Sequence, residues 1–368
     1  GREQGWQKIV HNVDEETPAS PLILSFDLEV YSSVEGRMPT ASEPGDEIFQ
    51  ISCVLFRRES SEDEREEYLL TLGATPSPTR VGANVLRFSC EGALIEGFAN
   101  FIQEHRPNII TGYNIMGFDI PYLTERAKLV GEIDQLSQAH FNSVKAAPER
   151  KIRWSSQAYK NQEFEFLDWE GIIVIDMLKV IQRDYRLSNY KLDTVAQHIL
   201  GEQNQKDPLS YKDIFDCYRR GVKSMRDDGT YPKSATRAIE LVGKYCMVDS
   251  RLVANLFVAT QTFIGYSEMA KTCMVPVSDL ILRGQQLKVF SAVFRHCHDH
   301  RIVVESNGYV AGENETYVGA YVFQPVPGVY ENVAPFDFAS LYPTTMIAYN
   351  IDYSTLVKSR RVPDRQCH

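Results

Sequence analysis

Leu22 to Val30 is an apolar run broken only by Ser25, Asp27 and Glu29. Read as a buried strand, it turns both acids to one face, because side chains alternate along a strand. Ser32 to Asp46, rich in Gly, Pro, Ser and Glu, predicts an excursion, and Ile48 to Phe56 a returning strand. The charged run Glu59 to Glu67 reads as a solvated hairpin tip before a strand over Tyr68 to Leu72. Helical spacing then takes over in Ala93 to His105, where Leu94, Phe98 and Phe101 share a face and Pro107 ends the element. Ile109 to Tyr113 predicts a short buried strand, and Asn114 to Leu123 a loop running into a helix that continues to about Leu129. The weakly periodic Gly131 to Asp168 predicts a loop plus an extended hairpin ending near Trp169, followed by a buried strand at Ile172 to Asp176. Helices dominate afterwards, over 178–184, 191–199, 212–219, 234–263 and 285–300. Tyr317 to Val333 carries the Gly and Pro of a junction, and Val333 to Tyr349 is a new apolar stretch that predicts a strand around Asp337.

Strands early and helices late, with acids at strand ends, indicate a mixed α/β domain over about Ser20 to Gly265. At roughly 150 residues per domain, 368 residues allow about two domains. The 43% hydrophobic and 24% charged content excludes a disordered or fibrous chain. Gly171 to Ile181, the longest apolar stretch, is interrupted by Asp176 and Lys179, which argues against a membrane span, and no secretory signal opens the chain. Seven scattered cysteines without a Cys-x-x-Cys pair fit reduced thiols inside a cell, so the protein is expected not to be secreted. A net charge of −10 rules out a uniformly basic nucleic-acid coat, but not an enzyme whose site acids are neutralised by metal. The missing initiating Met suggests an excerpt of a longer protein.

Two acids side by side in a hydrophobic strand are costly unless a cation binds them, and oxygen ligands suit Mg²⁺ or Mn²⁺. An Asp-x-Glu triplet alone is common on solvated strands, so partners decide the matter. Asp119, following a buried strand, and Asp249, within Tyr245 to Asp249, are the candidates. Tyr245 and Asp249 are four residues apart and share a helix face. Converging on two ions, the four acids would support phosphodiester hydrolysis, with Tyr245 orienting the attacking water.

Phe26-Asp27-Leu28-Glu29, Asn114 to Asp119 and Tyr245 to Asp249 resemble the three exonuclease motifs of family B DNA polymerases. Arg283 to Gln286, Tyr317 to Ala320 and Asp337 to Pro343 continue that family's order, closest to the delta branch and its relatives in large DNA viruses. The resemblance implies a ribonuclease-H-like 3′-5′ exonuclease domain, a mixed sheet with helices, followed by the beginning of a polymerase palm. Its expected boundaries are an N-terminal remnant at 1–19, the exonuclease at 20–265, connecting helices at 266–330 and a truncated palm at 331–368. It further implies that Asp27, Glu29, Asp119 and Asp249 hold the proofreading metals. Asn114 and Phe118 would contact the frayed primer end, although core packing is an equal reading for Phe118. Tyr190, within Leu187 to Leu192, would stack on an unpaired base or simply serve a helix-start loop. Asp337 would bind the metals of nucleotidyl transfer together with the Phe338 carbonyl. Ser340, Leu341 and Tyr342 would hold the incoming triphosphate.

The implied cofactor is Mg²⁺, two per site, with Mn²⁺ as a substitute. The implied partners are primer-template DNA with its single-stranded 3′ end, deoxynucleoside triphosphates and a sliding clamp, at the nucleus or a cytoplasmic viral replication site, with no membrane. The family's Asp-Thr-Asp turn is absent, so the sequence holds a full exonuclease acid set and half a polymerase site. The alternatives are a freestanding 3′-5′ exonuclease and a non-catalytic DNA-binding scaffold. Arg295 to His300 resembles a metal cluster but lacks zinc spacing and is expected to be structural or surface.

Overall fold

The computed structural model describes residues 19–140, 145–156, 160–201, 209–304, 319–352 and 355. It comprises two compact units, residues 1–305 and 306–368. In the first, β1 (Ile23–Val30) lies inside a six-stranded sheet with β2 (Ile48–Phe56) and β3 (Glu66–Thr71) on one side. A capped 3-10 turn at Glu62–Glu64 closes the β2–β3 hairpin, as the charged run predicts. A four-residue helix, α1 (Pro78–Val81), leads to the edge strand β4 (Asn84–Arg87). Helix α2 (Glu91–His105) precedes β5 (Ile109–Gly112), which pairs parallel with β1 on its other side. Helices α3 (Asp119–Val130) and α4 (Ile133–Ser137) and the hairpin β6 (Glu149–Ser156) and β7 (Lys160–Leu167) come before β8 (Ile173–Asp176). The sheet order is β4-β3-β2-β1-β5-β8, with β1–β2 and β2–β3 antiparallel and the other pairs parallel.

Alternation along β1 divides the core. Leu24, Phe26 and Leu28 face α2 and α3, with Phe26 against Phe98 at 5.3 Å between ring centroids. On that side Arg126 is buried against Glu91, and its guanidinium also donates to the carbonyls of Ala41, Glu43 and Pro44. The opposite face receives α5 (Met177–Asp184), α6 (Leu192–Leu200) and the later part of the 27-residue α8 (Lys233–Ala259), whereas α7 (Tyr211–Gly221) and the start of α8 bury their apolar side chains in the cluster that holds Phe26. Small residues let α8 lie close to the strands. A Cβ on Gly243 would meet Leu69 at 2.5 Å, and buried strand side chains donate into the helix backbone: Gln50 to Ile239, Ser52 to Cys246 and Ser25 to Ser250. Such donors satisfy these buried strand N–H and O–H groups within the protein, while Gln50 Oε1 accepts no hydrogen bond.

The helix expected to reach Phe263 ends at Thr260. The Thr260 hydroxyl donates to the Leu256 carbonyl at 2.8 Å and Gln261 turns to φ 51°, so a new helix, α9 (Thr262–Cys273), begins. Then come α10 (Val277–Leu282) and α11 (Gln286–Asp299). No helix among the described residues is long and apolar enough to cross a membrane.

In the second unit the described residues hold one helix, α12 (Leu341–Ala348). The strand expected around Asp337 is not there. Asp337 and Phe338 are exposed in irregular chain, and Ser340 at φ 51° starts the helix. An apolar stretch becomes a strand only when another backbone satisfies its polar groups, and none among the described residues of this unit does. Residues 1–18, and Tyr317 and Val318 of the Tyr317 to Ala320 motif, lie outside the described residues.

Candidate active site

Strand alternation delivers Asp27 and Glu29 to the face covered by α8, opposite Ser52 and Gln50 of β2, and a register shift follows directly after Glu29. Asp27 is partly exposed and Glu29 buried. Helix α8 sets Cys246 against them, its Sγ 3.8 Å from Asp27 Oδ2. Donor atoms of Asp27, Glu29 and Cys246 all lie within 4.8 Å of one another. The thiol is held well above its usual range, first by burial and then by the charges of Asp27 and Glu29. It therefore remains protonated and donates weakly to Asp27.

Asp119 opens α3 and is buried. Its carboxyl lies near the backbone N–H of Leu28 in β1, which favours the charged form. Burial pushes its carboxyl up to about 7, and the charges of Asp176 and Asp249 add to the rise. Asp249 lies three residues beyond Cys246 and acts electrostatically on both Asp119 and the Cys246 thiol. Tyr245, one turn before it, is half-buried and packs on the cluster that includes Phe26 and Val242. The four expected acids thus gather around the centre of β1 from a strand, a helix start and a helix middle.

This donor set fits a hard divalent cation. All four candidate ligands offer carboxylate oxygen, and a cation would offset what raises the proton affinity of Asp119, first its burial, then the charge of Asp176 and, least, that of Asp249. The protonated Cys246 adds no ligand for such an ion. Among the described residues, the one group of His, Cys, Asp and Glu whose donor atoms lie close enough to share an ion is Asp27, Glu29 and Cys246, and Asp119 and Asp249 lie outside it. In the Arg295 to His300 run, Arg295 pairs with Asp299 at 2.8 Å and His296 stacks on His300, as expected for a surface helix.

The segment joining β5 to α3 is a compact turn. Asn114 takes φ 64°, a conformation Asn tolerates, and its carbonyl accepts from Gly117 and Phe118, both at 2.9 Å. A Cβ on Gly117 would stand 2.4 Å from Asn114 Oδ1, so any other residue there displaces the Asn114 side chain. Phe118 is half-buried, its ring 5.3 Å from Tyr122. The Tyr190 hydroxyl donates to the Tyr185 carbonyl at 2.9 Å, and its own carbonyl receives the Tyr113 hydroxyl. Asp337, Phe338, Leu341 and Tyr342 are exposed in the second unit.

Two residues of this neighbourhood escape sequence reasoning. Cys246 reads as core because nothing in its own position signals acids beside it. Asp176 reads as a strand end, and its one sequence signal is an acid immediately before a helix.

The profile of the exonuclease domain of DNA polymerase family B matches residues 4–195, and that of DNA polymerase family B matches residues 275–367. The chain is 48% identical to a DNA polymerase of Invertebrate iridescent virus 3 over 100% of its length and 32% of that protein. It is 35% identical to the DNA polymerase delta catalytic subunit of Caenorhabditis elegans, over 95% of this chain and 31% of the relative. A DNA polymerase catalytic subunit of Saimiriine herpesvirus 2 is 34% identical over 92% of the chain and 30% of its own length. The chain spans about a third of the length of these relatives. Its mixed sheet with helices on both faces agrees with a ribonuclease-H-like exonuclease domain. Sequence profile, relatives and sheet agree that this chain belongs to family B of the DNA polymerases.

Proposed function

We propose that the acids around β1 form the 3′-5′ proofreading exonuclease of a replicative DNA polymerase. The observation that carries this reading is the clustering of the Asp27 and Glu29 carboxylates on one face of β1, with buried Asp119 near Leu28 and within the field of Asp249. Asp27, Glu29, Asp119 and Asp249 would hold Mg²⁺, or Mn²⁺ in its place. The bound cation supplies Lewis-acid stabilisation of charge on the phosphodiester. The chain's own groups do the rest. The Asn114 turn and Phe118 receive the last nucleotide, and the Tyr245 hydroxyl orients a water in line with the scissile P–O bond. Water oxygen bonds to phosphorus as the bond to the preceding 3′ oxygen breaks, releasing a nucleoside 5′-monophosphate. A mispaired end frays at lower cost than a paired one, so it enters the cleft preferentially.

On the family match at 275–367, Asp337, Phe338, Ser340, Leu341 and Tyr342 contribute to nucleotidyl transfer from deoxynucleoside triphosphates on primer-template DNA. Domain boundaries near residues 20, 265 and 330, a sliding-clamp partner, and action in the nucleus or at a viral replication site belong to the same proposal. With Mg²⁺, this chain should release mononucleotides from a single-stranded 3′ end faster than from a fully paired one. Equal rates on both would overturn the proofreading reading.

A further inference from the structure

We propose that Asp176 is a positioning residue for the exonuclease site, holding the turn that presents Asn114, Phe118 and Asp119. Asp176 ends β8 and is 1% exposed. Its Oδ1 accepts the Asn114 N–H at 2.9 Å and the Leu178 N–H at 3.0 Å, and its Oδ2 accepts the Met116 N–H at 3.1 Å. One carboxylate thus caps α5 and pins both ends of a three-residue stretch that reverses the chain between β5 and α3. Of the turn's other backbone bonds, those of Gly117 and Phe118 to the Asn114 carbonyl and of Ile120 to that of Ile115 are internal, and the Met116 carbonyl accepts the Glu165 N–H of β7 at 3.3 Å. Without Asp176, these bonds tie the turn to the six-stranded sheet through the pairing of Gly112 alone, with the Met116 carbonyl still held by β7.

Chemistry limits what can take this place. Three N–H groups converge from two directions, and a carboxylate is the small side chain that offers two acceptor oxygens with no donor. Asn would set an NH₂ group against one of these N–H donors. The charge itself works against the site, because it raises the proton affinity of Asp119. Geometry is therefore what Asp176 contributes. Groups that orient metal ligands from behind change metal affinity or activity by about 10- to 100-fold when lost.

The kinetic part of this inference rests on the exonuclease reading, whereas the hydrogen-bond part does not. Asp176→Asn and Asp176→Glu are compared with the parent chain and with the Asp27→Ala/Glu29→Ala variant. Amide hydrogen exchange should show Asn114 and Met116 exchanging at least about 10-fold faster in Asp176→Asn, with Ile110 unchanged. At pH 8, the Mg²⁺ concentration for half-maximal release and the KM for a single-stranded 3′ end should both rise about 10-fold. Asp176→Glu keeps the charge but moves the oxygens outward by a methylene, so it should shift both parameters in the same direction. A role in stability alone would lower kcat with the folded fraction and leave both parameters unmoved, which would overturn the proposal. Unchanged exchange at Asn114 and Met116 would overturn it whether or not the chain degrades DNA. A parent chain without Asp27- and Glu29-dependent release would defeat the exonuclease reading instead, and exchange at those amides would then decide the role of Asp176.

Discussion

Lowering the pH from 8 to 6 should weaken divalent-cation binding through one residue, Asp119. Burial, then the charges of Asp176 and Asp249, push its carboxyl up to about 7. The ionised fraction is then roughly nine-tenths at pH 8 and roughly one-tenth at pH 6. A cation must displace the proton to use this ligand, so apparent Mn²⁺ affinity should fall about 10-fold across the interval. The stability effect has the opposite sign when metal is absent. Asp119 binds its proton more tightly folded than unfolded, where a value of about 3.9 applies. Its contribution to stability is therefore full below that value and is lost as pH rises through about 7. Calorimetric Mn²⁺ titrations at pH 6, 7 and 8, with melting curves of the metal-free chain, measure both. Asp176, pushed up to about 6 by burial, titrates nearby, and Asp119→Asn separates the two. That variant should bind Mn²⁺ weakly and with little pH dependence. Equal affinity of the parent at pH 6 and 8, or a 10-fold dependence surviving in Asp119→Asn, would refute the reasoning.

Further outcomes follow from single contacts. Gly117→Ala drives a Cβ into the Asn114 side chain, a flexible group that can swing away, so KM for a single-stranded 3′ end should rise while the melting temperature stays nearly constant. Arg126→Ala strands the buried Glu91 carboxylate and the carbonyls of Ala41, Glu43 and Pro44, and should cost roughly 3–5 kcal/mol in urea unfolding. Cys246→Ser should keep nuclease activity within about 2-fold in Mg²⁺, because a protonated thiol is no ligand for a hard cation. A loss of more than about 10-fold would make Cys246 part of the site.

What could be read from the chain, and what could not, follows from how each feature is encoded. Period-2 alternation in a strand buried on both faces sets Asp27 beside Glu29 whatever else folds around it, and the same local rule carries β2, β5 and β8. The strand β4 is mostly exposed and held by backbone pairing to β3, so its side chains carry no pattern to read. The break after α8 is a side-chain hydroxyl and one left-handed residue, Gln261, which periodicity does not register. Site residues divided in the same way. The acids of β1 announce themselves by costly burial, whereas Cys246 and Asp176 matter through what the tertiary fold lays beside them. Around Asp337 the pattern suggested a strand because apolar content was present, but strand formation needs a partner backbone that the described part of the second unit does not supply.

Release of nucleotides from a 5′-labelled oligonucleotide with a single-stranded 3′ end, in Mg²⁺, tests the central claim most directly when the parent chain is set beside Asp27→Ala/Glu29→Ala. The parent should shorten the strand one nucleotide at a time, and the double variant, still folded by its melting curve, should not. Undiminished shortening by the double variant would contradict the assignment of the site to β1.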